Sequence, residues 1–344
     1  MRVKRAAWLW PPLGLALLAA CALVGVAAGA ASIGPVEIAA ALLGRLPFSP
    51  VDSPLSGLQE AVLVELRLPR VVLGALVGGL LASAGAAYQG VFRNPLADPY
   101  LLGAAGGAGL GATLVLAFGA DLVDAPRAIV PVAAFAGALA GVAAAYALGA
   151  VAGGGGTATL VLAGVAVSSF LSAAQNLVQM VRVEELRRIY AWMLGGLGRG
   201  GWDDVAMIAP YAAVSVLVLM GCGYLLDLLA LGDEKALSLG LNATAARLLV
   251  VAAASLATAA AVSVSGLIGF VGIVVPHIVR RLVGTGYRMI LPMSLLSGAA
   301  FLVLVDVAAR TLIAPAELPL GVVTAFLGAP FFVFILRTTR NRAG

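Results

Sequence analysis

The chain has 344 residues, 62% hydrophobic and 11% charged, with 21 basic and 16 acidic residues and a formal charge of +5. A soluble domain carries about 25% charged residues, so this composition excludes one and places most of the chain in lipid. The basic residues are few and scattered, which excludes a nucleic-acid surface, because that needs a clustered basic face.

Lysine occurs only at positions 4 and 235. The chain therefore lacks the Gly-x4-Gly-Lys-Ser/Thr loop that cradles nucleotide phosphates. If ATP drives it, a separate subunit supplies the ATPase. Cys21 and Cys222 lie inside apolar runs and read as small buried hydrophobes, not a disulfide or metal pair. The single histidine, His277, cannot build a histidine-rich metal site alone.

Ten apolar segments follow in order. The first runs from about Trp8 to Ala31. Leu18-Ala19-Ala20-Cys21 fits a lipoprotein cleavage box, but the apolar run continues past it for long enough to span. Pro35 and Glu37 then carry helix-start signals for a short segment ending at Gly44, expected in the interface. The second span covers Val71 to Val91 and ends at Arg93-Asn94-Pro95. The third runs from Tyr100 to Phe118. Its glycines at 103, 106, 107, 109 and 111 allow close helix approach. The fourth covers Ala128 to Val151, before a glycine run at 153–156. The fifth covers Thr157 to Val181, and the sixth Val205 to Leu228. A polar interruption at 232–240 precedes the seventh, Ala243 to Val264. The eighth is short, Gly272 to Leu282. The ninth runs from Met289 to Leu312 and the tenth from Gly321 to Leu336.

Ten spans put both termini on one side. With that side inside, 12 of the 21 basic residues are cytoplasmic, Arg2, Lys4, Arg5, Arg337, Arg340 and Arg342 among them. The positive-inside rule favours this orientation.

Three constellations stand out. On the fifth span, Thr157, Gly164, Ser168, Ser172, Gln175 and Gln179 recur at helical spacing, with Asn176 beside them. Polar groups in hydrocarbon need partners or water, so the stripe either lines a wet pathway or glues helices together. On the pathway reading, Val167 and Phe170 on the opposite side are protected. Asp306 is the one acid well inside a span, and Arg310 at i+4 can pair with it. It reads as a paired structural charge or as a coupling site for ions. The third is Asp233-Glu234-Lys235, a charged inner loop that is either a solvated turn or a docking point for a cytoplasmic partner.

The full set of motifs resembles a known family. The marks are Arg67-Leu68-Pro69-Arg70, Arg93-Asn94-Pro95-Leu96-Ala97-Asp98-Pro99, Leu162-Ala163-Gly164, Trp192-Met193-Leu194-Gly195-Gly196, Leu229-Ala230-Leu231-Gly232, Gly266 to Gly272, Val275-Pro276-His277 and Glu317-Leu318-Pro319-Leu320-Gly321. In this order they are similar to the FecCD-like permease subunits of type II ABC importers, which import iron-siderophores, haem and cobalamin. The resemblance implies an all-α integral membrane protein of about ten transmembrane helices. Residues 1–344 form one transmembrane permease domain, with a coupling loop at 229–242. The chain itself is then no enzyme and binds no cofactor; ATP and magnesium sit on the partner ATPase.

The resemblance also implies site residues. Arg67, Arg70 and Arg310 receive acidic residues of a periplasmic or lipid-anchored substrate-binding protein. Asn94, Leu96, Thr157 and Ala158 form cytoplasmic gates, although alanine at 158 stands where the cobalamin permease carries a serine. Ser168, Ser172, Gln175, Asn176 and Gln179 line the pathway. Asp233, Glu234, Lys235, Leu237, Ser238 and Gly240 seat on the ATPase. The expected assembly is a homodimer with two cytoplasmic ATPases in the bacterial inner membrane, both termini cytoplasmic. An ion-coupled secondary transporter using Asp306 is the alternative.

Overall fold

The structure, a computed structural model, describes residues 8–29, 33–45, 53–119, 128–152, 157–198 and 200–340. The described residues form fourteen α-helices. These are α1 (Trp10–Ala27), α2 (Pro35–Gly44), α3 (Gly57–Val91), α4 (Ala104–Phe118), α5 (Ile129–Val151), α6 (Thr157–Val181) and α7 (Leu186–Met193). After them come α8 (Trp202–Gly221), α9 (Gly223–Leu229), α10 (Asp233–Ser238), α11 (Ala243–Ser265), α12 (Val271–Val283), α13 (Tyr287–Thr311) and α14 (Leu320–Arg340). Every one of the ten expected spans has a helical counterpart. Seven helices are long and apolar enough to cross a membrane, namely α1, α3, α5, α6, α8, α11 and α13. The basic segment at residues 2–5, the glycine run at 153–156 and Arg342 lie outside the described residues.

Two helix boundaries differ from the sequence reading. Arg67-Leu68-Pro69-Arg70, read as the loop before the second span, lies inside α3. Proline normally ends such a run, because its ring meets the carbonyl four residues back and it donates no hydrogen bond. Here residues Val62–Arg67 widen into a π-helical turn immediately before Pro69, and such turns admit an interruption of the ladder. The loosened turn leaves the Val64 carbonyl to accept from Trp202 Nε1 at 2.8 Å, which ties α8 to α3. The sixth span is likewise two helices. The chain breaks at Cys222, and α9 then delivers Asp227 Oδ1 to the Tyr287 amide at 2.6 Å, capping α13.

Three helices, α3, α11 and α13, are the most buried of the spans, α13 by 61%. The most apolar stretch of α3 is 83% buried and that of α11 72%, against 17% for α6. In lipid, burial of apolar groups gives little drive for association; close packing and hydrogen bonds carry it. Small residues supply that packing. A methyl group at Gly78 of α3 would fall on the Gly298 carbonyl of α13, and one at Gly107 of α4 on the Gly137 carbonyl of α5. Buried hydroxyls add cross-links, such as Tyr88 to Ser255 at 2.7 Å between α3 and α11.

Candidate functional site

At one end of the bundle, the C-termini of α1 and α13 meet α3 around Arg70 in an ionic cluster. Arg70 donates from Nε to both oxygens of Asp306 at 3.0 Å and from Nη2 to Oδ1 at 2.8 Å. The same guanidinium holds Glu317 through Nη1–Oε1 at 2.8 Å and Nη2–Oε2 at 2.9 Å. Arg310, one turn beyond Asp306, pairs with it at 3.4 Å. Asp306 is 2% exposed, whereas the Glu317 side chain is 46% exposed. The hydrogen bonds from Arg70 hold the Glu317 carboxyl below the usual carboxylate range.

Arg67 and Arg310 face α1. Arg67 Nη1 donates to the Val26 and Ala27 carbonyls at 2.9 and 3.2 Å. Arg310 Nη1 donates to Ala28 O at 2.7 Å, and its Nη2 donates to Gly25 O. These carbonyls end α1 without helical partners, and cations there also oppose the negative end of the helix dipole. All three arginines expected to dock a partner therefore spend donors within the chain, and Arg67 is buried.

The polar stripe of α6 divides. Gln175 and Gln179 are buried, and their amides donate to the Met193 sulphur of α7 at 3.0 and 3.6 Å. Here the glue reading describes the geometry. Ser168 is half-buried, while Ser172 and Asn176 are exposed. Phe170, expected to be protected, is 73% exposed. The six stripe residues sit at the edge of the packed face, so the helical period alone could not say on which side burial falls. The exposed side of α6 carries Leu162, Val165, Ser172, Asn176 and Met180.

At the C-terminal end of α7, three backbones join. Gly196 N donates to Ser265 O at 2.8 Å, Leu320 N to Gly195 O at 3.0 Å, and Gly321 N to Leu194 O at 2.9 Å. Beside this junction opens an apolar cavity of about 640 Å³, whose wall includes Met193, Leu194, Phe270 and Phe326.

At the opposite end of the bundle, Asp233 opens α10. Its Oδ1 accepts from Arg247 of α11 at 2.5 Å and from Arg93, after α3, at 3.2 Å. The bond from Arg247 holds the Asp233 carboxyl below its ordinary range. Asp233 is thus tied to its own chain. Glu234, Lys235, Leu237, Ser238, Leu239 and Gly240 stay exposed, Leu237 by 70%. In the loop after α3, Asn94 Oδ1 accepts from the Leu96 amide at 2.9 Å, and both residues are exposed. Thr157 is half-buried and Ala158 exposed at the start of α6.

Sequence reasoning missed two partners. Glu317 belongs to the Arg70 cluster, and Met193 to the glutamines of α6. Both already sat in motifs singled out for other reasons.

The fold and these clusters define a multi-pass membrane permease, with buried ion pairs at one end and an exposed short helix at the other. The chain belongs to the FecCD transport family, which matches residues 17–338. It is 39% identical over 325 residues to the ABC transporter permease protein YvrB of Bacillus subtilis, covering 94% of this chain and 92% of the relative. It is 40% identical over 284 residues to the cobalamin import system permease protein BtuC of Halobacterium salinarum, covering 83% and 75%. The hemin transport system permease protein HmuU of Yersinia pestis is 38% identical over 285 residues, covering 82% and 85%. A solved metal-chelate type ABC transporter in an inward-facing conformation superposes with a TM-score of 0.83 at 28% identity, over 95% of this chain and 98% of that one.

The chain is therefore the permease subunit of an ABC transporter, and ATP hydrolysis belongs to an ATPase partner. The alternative of an ion-coupled carrier is not supported. Asp306 is closed off by Arg70 on both oxygens.

Proposed function

We propose that this permease imports a chelated metal compound of the iron-siderophore, haem or cobalamin kind into the cell. Two copies of its single domain form the pathway in the bacterial inner membrane, with both termini cytoplasmic. A binding protein docks outside and two ATPases seat inside. The observation that carries this reading is the cavity between the end of α7, the 267–270 loop and α14. Its wall is apolar and offers no carboxylate, imidazole or thiol among its lining residues. A bare cation gains nothing there, whereas a chelate with its ligands in place can pass. The relatives named for cobalamin, ferric citrate and hemin support the same class.

The roles divide by place. The exposed face of α6, with Ser172 and Asn176, lines the pathway, Gln175 and Gln179 hold its back against α7, and Ser168 packs by Gly106 of α4. Asn94, Leu96, Thr157 and Ala158 close the inner end. Leu237 leads the contact with the ATPase, beside Glu234, Lys235, Ser238 and Gly240, while Asp233 fixes the angle of α10. Arg70 meets an acid of the binding protein by exchanging Glu317 for it, and Arg67 and Arg310 hold α1 behind. The test is ATP-driven uptake by the full complex in proteoliposomes. Ferric citrate, haemin and cobalamin are compared with free iron. Uptake of at least one chelate, lost in Leu237→Asp with the permease still folded, is expected. Uptake of free iron alone, or uptake independent of the ATPase, overturns the reading.

A further inference from the structure

The short helix α7 carries a charge that no other group among the described residues pairs with. Four charged residues surround Arg187 in sequence, and they pair among themselves. Arg182 pairs with Glu184 at 3.7 Å and also lies over the Phe118 ring at 4.8 Å. Arg188 pairs with Glu185 at 3.3 Å. Arg187 is exposed and makes no ion pair or hydrogen bond among the described residues. An exposed guanidinium with all its donors free is a ready receptor for a carboxylate, which it can grip with two parallel bonds.

Its position gives that charge a direction. Residues 187, 190 and 194 stand at i, i+3 and i+7, so they share one face of the helix. Tyr190 is 50% exposed and Leu194 40%. Leu194 is itself part of the wall of the apolar cavity. At a rise of about 1.5 Å per residue, Arg187 lies about 10 Å along the helix from Leu194. The face therefore runs from a cation, over an aromatic ring with a polar tip, to an apolar chamber. No carboxylate is among the residues that line that cavity to compete for the cation.

We propose that Arg187 is a specificity-determining residue at the mouth of the cavity, and that the transported chelate has an apolar body with at least one peripheral carboxylate. The inference rests on the transport reading above and narrows its substrate class. Arg187 receives the carboxylate while the body enters beside Leu194, Phe270 and Phe326. An acid of the docking protein is the other chemistry that could meet this arginine. The cavity wall on the same helix face favours the substrate.

The experiment uses the full complex of permease, ATPases and binding protein in proteoliposomes. Uptake of haemin, ferric citrate and cobalamin is measured for the unaltered protein, Arg187→Gln and Arg187→Lys, with Arg188→Gln as the paired-charge control. Loss of one charge-assisted contact predicts about a tenfold rise in the KM for a carboxylate-bearing chelate. The maximal rate should change little, Arg187→Lys should recover part of the loss, and Arg188→Gln should behave as unaltered. Binding of the substrate-free binding protein to Arg187→Gln should stay at its normal affinity. The proposal is overturned if cobalamin alone is carried, if the KM for the carried carboxylate chelate does not move, or if docking weakens to the same degree as uptake. If no chelate is carried at all, the transport reading itself fails, and this inference with it.

Discussion

The two ionic clusters of this permease do similar joining in opposite surroundings. At one end of the bundle, Arg70 joins α3 to α13 and to the leader of α14 through Asp306 and Glu317. At the other end, Asp233 joins α10 to α11 and to the loop after α3 through Arg247 and Arg93. The Asp306 side chain is 3% exposed and the Asp233 side chain 48%. The difference sets what each can do. A buried charge must stay paired, because desolvation leaves a lone charge with no substitute for its partner. Asp233 keeps its own contact with water, although its partner Arg247 is 10% exposed, and water and salt reaching the carboxylate screen that pair. The Arg70 cluster therefore fixes the frame. The Asp233 cluster orients a short helix.

The comparison breaks first at Asp306. Replacing it with Ala leaves Arg310 and part of Arg70 buried beside no carboxylate. The expected loss is about 3 kcal/mol, at the low end for breaking a buried pair because Glu317 remains on Arg70. Thermal unfolding in detergent measures it. A loss below about 1 kcal/mol, the range of an exposed pair, would mean that water reaches the cluster and that the contrast between the two ends is false.

Glu317 sharpens the same contrast from within one cluster, since it shares Arg70 with Asp306 but is exposed. Glu317→Gln should cost no more than about 1 kcal/mol. Its effect should be local. Leu318 N donates to Ala309 O at 2.9 Å, and the next residues bond to Leu194 and Gly195. Amide exchange at residues 318, 320 and 321 should quicken, while exchange in α3 stays unchanged. Equal quickening in both would show that the two acids act as one unit.

How much of this was legible in the sequence depends on the kind of signal. Long apolar runs in lipid must close their own hydrogen bonds, so a helix in each of the ten apolar runs could be read from composition and punctuation, and among the described residues seven of these helices are long and apolar enough to cross a membrane. The start of α3 could not. Pro69 read as a boundary, and only the π turn at Val62–Arg67, a backbone feature without a sequence mark, carries the helix through it. The Asp306–Arg310 pair was legible because it is local. Arg70–Asp306 spans 236 positions, and no periodicity connects residues so far apart. The α6 stripe shows a third limit. Spacing put Ser172 and Gln175 together, yet the packed face of the helix ends between them. Which side of an amphipathic edge is buried depends on neighbours that the helix itself does not encode.

The smallest effect should come from Asp233, and its dependence on pH is the diagnostic. Its carboxyl titrates below the ordinary aspartate value because Arg247 bonds to the ionised form. A group with a depressed folded value adds stability above its unfolded value and loses that stability as pH falls through the folded one. The clip should therefore be at full strength above about pH 4, the ordinary aspartate range, and weaken progressively below it. At neutral pH, Asp233→Asn should cost about 0.2–1 kcal/mol, as exposed pairs do, and global unfolding will scarcely register so little. Amide exchange within α10 will register it. In the unaltered protein, protection of α10 should drop as the sample is taken below about pH 4, and added salt should lower it at neutral pH. Asp233→Asn should show the lowered protection at every pH, with no further acid step. If the variant still lost protection in acid, another carboxylate would be holding α10. The Asp233 end would then resemble the Arg70 end, with more than one acid sharing the work.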